Sequence, residues 1–431
     1  MERRLAEATQ EPTGPDSEPA GGVEAAQERV RPLASLGFSR FRLLMASFLV
    51  GFVAFQMRQT TNLWLVYDLT GSTLNLGLLG VFQFAPVLVL GLVGGALADM
   101  VDRKTLLLFA MASHLALSVA LGMLVLFDLL QVWHIYAVTL LTSGVSVLEG
   151  PARMTVIPRI VPRSHLMNAI TLNSGTRHGS MLLGPSLGGL VIGLWGPGAA
   201  YWLGAALFIP SILLLLPLPS LKPLVTQTVR KMDAAHLLEG WRFVIQTRVI
   251  LALMALDLAA MFFTYYQVLM PVFAEDILKV GPVGFGLLLS APAAGFIVGT
   301  VALLVAGNIR RKGLVVLWTF GSYLVAVAVF AVSRNFLLSV VALVVLGGLD
   351  GVGAILRQTV LQLMVPDEVR GRASAVLQVS NRGGPSMGFI VLGTMAFWLG
   401  APSAMLTGVV IAGFVLAAIV VLRREVAGYR G

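Results

Sequence analysis

Apolar residues in this chain come in blocks of about 20, the length that carries an α-helix across a bilayer's hydrocarbon. Twelve such blocks are read: 41–67, 73–98, 105–127, 133–157, 167–193, 199–216, 249–272, 283–306, 313–332, 336–361, 373–399 and 402–422. The breaks between them are short, polar or rich in Gly and Pro, with one exception at 218–248. The pattern predicts an all-α integral membrane protein with twelve transmembrane helices and no room for a soluble catalytic domain. Residues 1–36, rich in Glu, Pro, Gly and Ala, predict a disordered tail. A six-helix bundle over 37–217, a linker over 218–248, a second bundle over 249–422 and a short tail over 423–431 complete the organisation. Within the linker Leu237, Trp241 and Val244 recur three or four apart, as on an amphipathic helix tethering the bundles or lying on the membrane surface.

Composition agrees: 57% of residues are hydrophobic and 12% charged, against roughly 25% charged in soluble domains. The net charge of +9 does not signal nucleic acid. Of 30 Lys and Arg, 23 lie at the two chain ends and at alternate connections, 5 inside spans, and only Lys279 and Arg334 at the remaining connections. That is the positive-inside asymmetry, and it predicts a plasma-membrane (bacterial inner-membrane) protein with both termini cytoplasmic. There is no Cys, so disulfides and thiol chemistry are excluded. The opening MERRLAEATQ has no apolar core, and no cleavable signal peptide is expected.

The chain also repeats. Shifted by 204 positions, Arg153, Thr155, Val156, Val161, Pro162, Ala169, Gly179 and Gly184 fall on Arg357, Thr359, Val360, Val365, Pro366, Ala373, Gly383 and Gly388. Two six-helix units of like orientation imply a pseudo-two-fold about the membrane normal. Repeats of this kind place a substrate site between the halves near mid-bilayer and alternate access by rocking.

Between spans two and three stands Gly95-x-Leu97-Ala98-Asp99-x-x-x-Arg103-Lys104, with Asp102 where the pattern usually has Gly. This resembles the loop signature of the major facilitator superfamily. In span five Gly184-Pro185-x-x-Gly188-Gly189 resembles the motif of its antiporter members, with Ser180 where a further Gly is usual. WLVYDLTGS and GPAR…IP…VP make the whole of 41–422 similar to the enterobactin-exporter and macrolide-efflux branch, the transmembrane secretion effectors. The resemblance implies the major facilitator fold. It further implies that Asp99 contacts the eleventh helix and a fourth-helix Arg, Arg153, so that Asp99, Arg103, Lys104, Arg153 and Arg357 close a cytoplasmic gate. The alternative for Asp99 is a solvated turn whose charges serve topology alone. Pro185 removes a backbone donor and predicts a bend in span five; Gly184, Gly188 and Gly189 permit close helix contact there or serve generic packing.

Apart from Arg42 at the very edge of the first span, eight charges fall inside spans: Arg58, Glu149, Arg153, Arg177, Asp257, Asp350, Arg357 and Arg382. Facing lipid, at about 2.5–3.5 kcal/mol each, they would cost about 20–28 kcal/mol, more than a typical fold's net stability of about 5–15 kcal/mol. They are therefore expected to face protein or water. Spans one, four, seven and ten carry six of them and spans five and eleven the other two, while three, six, nine and twelve carry none. In the resembled fold the first set lines the cavity and the last set faces lipid. Arg177, ten residues into span five, sits about 15 Å deep at ~1.5 Å per residue.

Asp257 is the leading candidate for a titrating acid, with permanent pairing to Arg58 or Arg382 as the alternative; Asp350 and Glu149 follow. Glu149 and Arg153 are four apart and expected to pair. Arg58, Gln59, Arg177 and Arg382 are candidates to line the cavity, whose excess of Arg favours an anionic or neutral polar-aromatic substrate over a cation. His114 and His178 are expected to be packed or hydrogen-bonded. No metal-ligand spacing and no GxxxxGK[ST], HExxH or G-x-S-x-G pattern occurs, so no cofactor, metal or ATP hydrolysis by a P-loop is expected. Taken with these residues, the resemblance implies a proton-coupled exporter, a monomer that binds a small amphipathic molecule such as a drug, macrolide or siderophore. A lipid or lysophospholipid flippase on the same fold, a non-transporting scaffold or receptor, and a membrane-embedded enzyme are the rivals, in that order.

Overall fold

The computed structural model describes residues 33–221, 247–307, 309, 311–364 and 367–422, with side chains other than those of 92–100, 248, 361 and 367–382. Regular structure among the described residues is entirely helical. Helices α1 (Ser39–Thr70), α2 (Thr73–Met100), α3 (Arg103–Leu126) and α4 (Val132–Ile160) follow one another through short turns. The run Leu166–Leu215 spans 50 residues, about 75 Å at ~1.5 Å per residue, far more than the ~30 Å of hydrocarbon it crosses. It folds back at Gly196, whose φ of 83° and ψ of 171° are open to glycine and strained for other residues. Its limbs are α5 (166–195) and α6 (197–215).

Contacts with α1 show the reversal. Ser180 meets Leu49 and Gly188 meets Met57 and Thr60, so α5 runs with α1. Tyr201 meets Asn62 and Ser211 meets Ser47, so α6 runs against it. In the second half α7 begins as Arg248–Phe263, breaks at Thr264–Tyr265, and resumes through the 3-10 turn Tyr266–Leu269, Met270–Val272 and a π turn at Phe273–Ile277. Helices α8 (Gly281–Ala306), α9 (Lys312–Val332), α10 (Phe336–Met364), α11 (Asp367–Leu399) and α12 (Ala401–Leu422) bring the number among the described residues to twelve. The break in α7 departs from the continuous span over 249–272 read from the sequence. The expected tails and the amphipathic segment of the linker lie outside the described residues.

Equivalent helices pair within each half: α1 with α5 and α7 with α11, α2 with α4 and α8 with α10, α3 with α6 and α9 with α12. Two glycine seams join the halves. Along α5–α8, a Cβ on Gly189 would stand 2.7 Å from the Gly286 Cα, and Ser186 donates to the Ser290 hydroxyl at 2.6 Å. Along α2–α11, a Cβ on Gly393 would stand 2.6 Å from the Gly77 Cα. Small residues let backbones touch, the means by which helices associate where no hydrophobic force acts between them.

The apolar cores reveal the state. One cluster draws on both halves: Trp64, Leu65, Leu76 and Tyr201 pack with Met270, Phe273, Phe285 and Phe330 at the membrane face opposite the 218–248 connection. Toward the linker face the core divides into one cluster confined to the first half, around Phe41, Phe48, Leu107 and Phe208, and one confined to the second, around Leu253, Leu256, Phe320 and Val360. The halves therefore meet at the far face and part toward the linker face.

Candidate functional site

Where the halves part, a cavity of about 350 Å³ lies between them. From the first half come Gln56, Gln59, Gln83, Thr139 and His178; from the second, Tyr265, Tyr266, Gln267, Phe296 and Asp350. The break in α7 places Tyr265, Tyr266 and Gln267 on its wall. Thr264 Oγ1 turns back to the Ala260 carbonyl at 2.7 Å, and Tyr265 donates to Gln267 Oε1 at 2.9 Å. Interrupted helices at mid-membrane depth line binding sites because they leave backbone and side-chain polar groups facing the cavity. Sequence reading missed these three residues; the uncharged run FFTYYQV gave no charge to follow, and its aromatic density was the one available signal.

A second cavity of about 360 Å³ lies inside the first half, lined by Phe52, Phe55, Met111, His114, Glu149, Arg153, Asn173 and Arg177. It shares Gln56 and Met181 with the central cavity. Arg177, expected in the interior, is exposed on this wall.

The intramembrane charges sort into two groups. In the second half Arg357 Nε lies 2.6 Å from Asp257 Oδ1, and its Nη2 lies 3.7 Å from Asp350 Oδ1. Two carboxylates thus share one guanidinium. Arg357, assigned from the sequence to the cytoplasmic gate, is here the partner of Asp257, in place of the Arg58 or Arg382 weighed from the sequence. The reason is tertiary: α7 and α10 bring the two groups together, and nothing in their spacing along the chain records it.

In the first half Arg153 pairs with Glu149 on its own helix and lies over the rings of Phe52 (3.8 Å) and Phe48 (4.3 Å). His114 Nε2 stands 3.5 Å from the other Glu149 oxygen. Arg58 corrects an expectation: it does not line the cavity. It is 0% exposed, between the rings of Phe55 and Phe208, and donates to the His114 carbonyl (2.8 Å), Ser118 (3.2 Å) and Thr142 (3.2 Å). Arg58 on α1 thus bonds acceptors on α3 and α4 with its guanidinium donors and ties the three helices together. Gln59, beside it, does face the cavity.

At the linker face Asp102 caps α3, accepting from the backbone of Lys104 (2.8 Å) and Thr105 (3.3 Å), and accepts from the Ser220 hydroxyl. Its φ of −56° needs no glycine, which accounts for an Asp where the signature has Gly. Burial raises this carboxyl, but the bonds from Ser220 and from the backbone of Lys104, Thr105 and Leu221 together hold it below the ordinary carboxylate range. Arg103 donates to Thr155 Oγ1 at 2.7 Å and Lys104 to the Leu216 carbonyl at 2.7 Å. These contacts stay within the first half, against α4 and the end of α6. The side chains of Asp99 and Arg382 lie outside the described residues. In α5, Gly184 and Gly188 receive α1 and Gly189 receives α8, while Pro185 lines the central cavity.

Comparison with known proteins places this geometry. The chain is 28% identical to the enterobactin exporter EntS of Shigella boydii over 361 residues, 83% of this chain and 86% of that protein. EntS of Escherichia coli matches at the same identity and extent. Among solved structures, a bacterial homologue of the human lysosomal transporter Spinster, inward-facing and unoccupied, aligns at a TM-score of 0.71 and 13% identity, covering 91% of this chain and 98% of its own. The nucleoside transporter NupG aligns at 0.64 and 16% identity, covering 89% and 98%. At such identities the structures speak to the fold alone. Residues 30–429 match the family described as transmembrane secretion effector. The chain is a multi-pass membrane protein with the major facilitator fold and belongs to the transmembrane secretion effector family of secondary transporters.

Proposed function

We propose that this protein exports a small amphipathic molecule across the bacterial inner membrane in exchange for protons. The observation that carries the reading is the cavity between the halves, amide- and tyrosine-lined, with Asp350 on its wall and Asp257 behind it on a shared Arg357. One guanidinium cannot neutralise two carboxylates, so the group has a vacancy for a proton, as exchange requires. The divided core at the linker face gives access from that side. The positive-inside asymmetry makes that side the cytoplasm and both termini cytoplasmic. The working units are the bundles 37–217 and 249–422, and one copy suffices, because the cavity is complete within a single chain.

The cargo is a drug, macrolide or siderophore rather than a lipid. EntS exports enterobactin by its name, and the α5–α8 seam, where lipid would enter sideways, is closed by Gly189 on Gly286, Ser186 on Ser290 and His178 on Phe296. In this reading Gln59 and Arg177 contact cargo and Arg153 closes the gate with Asp99 once released from Glu149. Arg103 and Lys104 hold the gate loop to its own bundle.

The test is transport into everted vesicles of enterobactin and, separately, erythromycin, with and without a proton gradient. Accumulation of either that collapses with the gradient is expected. Accumulation indifferent to the gradient refutes coupling, and failure of both probes with a lipid translocated instead refutes the cargo class.

A further inference from the structure

Among the described residues lining the central cavity, the first half contributes one titratable side chain, His178 on α5. Its Nδ1 lies 2.9 Å from the Ser174 carbonyl oxygen. A carbonyl only accepts, so Nδ1 carries the hydrogen and Nε2 holds the free lone pair. Nε2 has no hydrogen-bond partner among the described residues. The ring lies flat on Phe296 of α8, with centroids 3.9 Å apart and planes at 9°. Phe296 in turn covers Gly351, where a Cβ would stand 3.0 Å from its ring, one residue past Asp350. His178 and Asp350 thus face one cavity from opposite halves.

The charges around this contact do not balance. Among the described side chains, with both carboxyls ionised, Asp257 and Asp350 set two negative charges against the one positive charge of Arg357. We propose that His178 is a proton-binding residue: Nε2 takes the proton, and the resulting imidazolium supplies the missing positive charge opposite Asp350, holding the two halves in the linker-open arrangement. Nδ1–H keeps its bond to Ser174, Arg357 keeps Asp257, and the cation gains the face of Phe296. Among the described residues, the other titratable or charged groups facing His178 are Arg177 beside it on α5 and Tyr265 and Tyr266 from α7; α1, α2 and α4 present Gln56, Gln59, Gln83 and Thr139, all neutral. The proposal deepens the proton-exchange reading, yet proton binding here is measurable without any cargo or gradient.

The absence of cysteine allows the test on the full chain. Spin labels at Met167→Cys on α5 and Leu363→Cys on α10, exposed near the linker-side helix ends, report the separation of the halves in lipid nanodiscs. Between about pH 8 and about pH 5.5, bracketing the ordinary histidine value near 6.5, the widely separated population is expected to rise at least about threefold, the effect of ~0.7 kcal/mol. His178→Gln, which cannot take a proton, is expected to abolish the response, and Asp350→Asn to reduce it. A response that persists unchanged in His178→Gln, or a parent protein without one, overturns the proposal. Neither outcome touches vesicle transport, where gradient-independent export would sink coupling itself. Should His178→Gln misfold, the 13C-histidine spectrum of the unaltered chain decides: with five histidines to assign, a resonance at His178 that stays neutral to about pH 5 also overturns it.

Discussion

Arg153 and Arg357 are equivalents under the internal repeat, yet they face different chemistry. Arg357 reaches across to α7 and bonds Asp257 at 2.6 Å. Arg153 reaches across to α1 and meets aromatic faces, 3.8 Å from the centre of Phe52 and 4.3 Å from that of Phe48. Its carboxylate, Glu149, comes from its own helix. One half therefore holds its arginine by an ion pair between helices, the other by an ion pair within a helix and a cation–π contact across. The first half can release Arg153 from α1 without stranding a charge on that helix; the second cannot release Arg357 without stranding Asp257. The proposed roles follow this asymmetry, with the gate in the first half and the proton-exchanging group in the second.

Asp257 and Arg357 should show strong coupling. Asp257→Ala leaves a largely buried guanidinium short of a partner and is expected to cost about 3 kcal/mol, at the low end for a buried pair because Asp257 keeps some exposure. Asp257→Ala with Arg357→Met should regain most of that stability and still fail to exchange protons. A double-variant cycle on thermal unfolding, run beside vesicle transport, measures both. Additive costs would break the pair.

Arg58 and Gln59 are neighbours with opposite duties. Arg58→Ala orphans neutral acceptors on α3 and α4 and is expected to destabilise by about 1–3 kcal/mol, read as loss of folded protein. Gln59→Ala, on the cavity wall, should leave unfolding within about 0.5 kcal/mol of the parent and change the apparent affinity for transported enterobactin. Reversal of the two phenotypes would contradict the placement.

At the far face Tyr67 of α1 donates to Asp276 beyond the break in α7, joining the halves at the face that the proposed export cycle opens. Tyr67→Phe removes about 1 kcal/mol of that closure, so spin-label distances across the far face should show about a fivefold gain in the open population. An unchanged distribution would mean the bond does not latch.

The seam at Gly189 and Gly286 has no room for a methyl group. Gly189→Ala is expected to cost about 1–3 kcal/mol through overpacking and to slow transport by holding the halves apart. Gly179→Ala, which meets nothing within 4 Å, is the control and should be silent.

Asp102 sets an acid limit. Its carboxyl is held below the ordinary range, so its cap and its bond to Ser220 contribute fully above the unfolded value near 3.9. That contribution falls away as pH drops through the lower folded value, when the protonated acid no longer accepts these bonds. Asp102→Ala should cost about 1 kcal/mol at neutral pH, and its difference from the parent should vanish under strong acid. A difference that persists there would assign the cost to something other than the charge.

Much of the architecture was legible because it rests on one-dimensional quantities. Block length fixes the spans, the sorting of Lys and Arg fixes the sidedness expected of them, and the repeat at Arg153 and Arg357 fixes two like halves. The motif at Asp99–Lys104 was legible as a loop, though the cap made by Asp102 in place of a glycine was not, since capping depends on φ and on Ser220, far away in the chain. Charge alone suggested Arg58 for the cavity; only packing reveals that Phe55, Phe208 and His114 enclose it. The break in α7 was not legible because FFTYYQV carries no charge and no Gly or Pro to mark an interruption.

Sequence by itself determined that this chain crosses a membrane as two repeated six-helix bundles with its charges gathered on a few helices, because lipid penalises each exposed polar group residue by residue. Tertiary structure alone decided which groups meet: Arg357 with Asp257, Arg58 with His114 and Ser118, His178 with Phe296 across the halves. Pair energies depend on distances of a few ångströms between helices far apart in the chain, and those distances are set by where small residues let backbones touch.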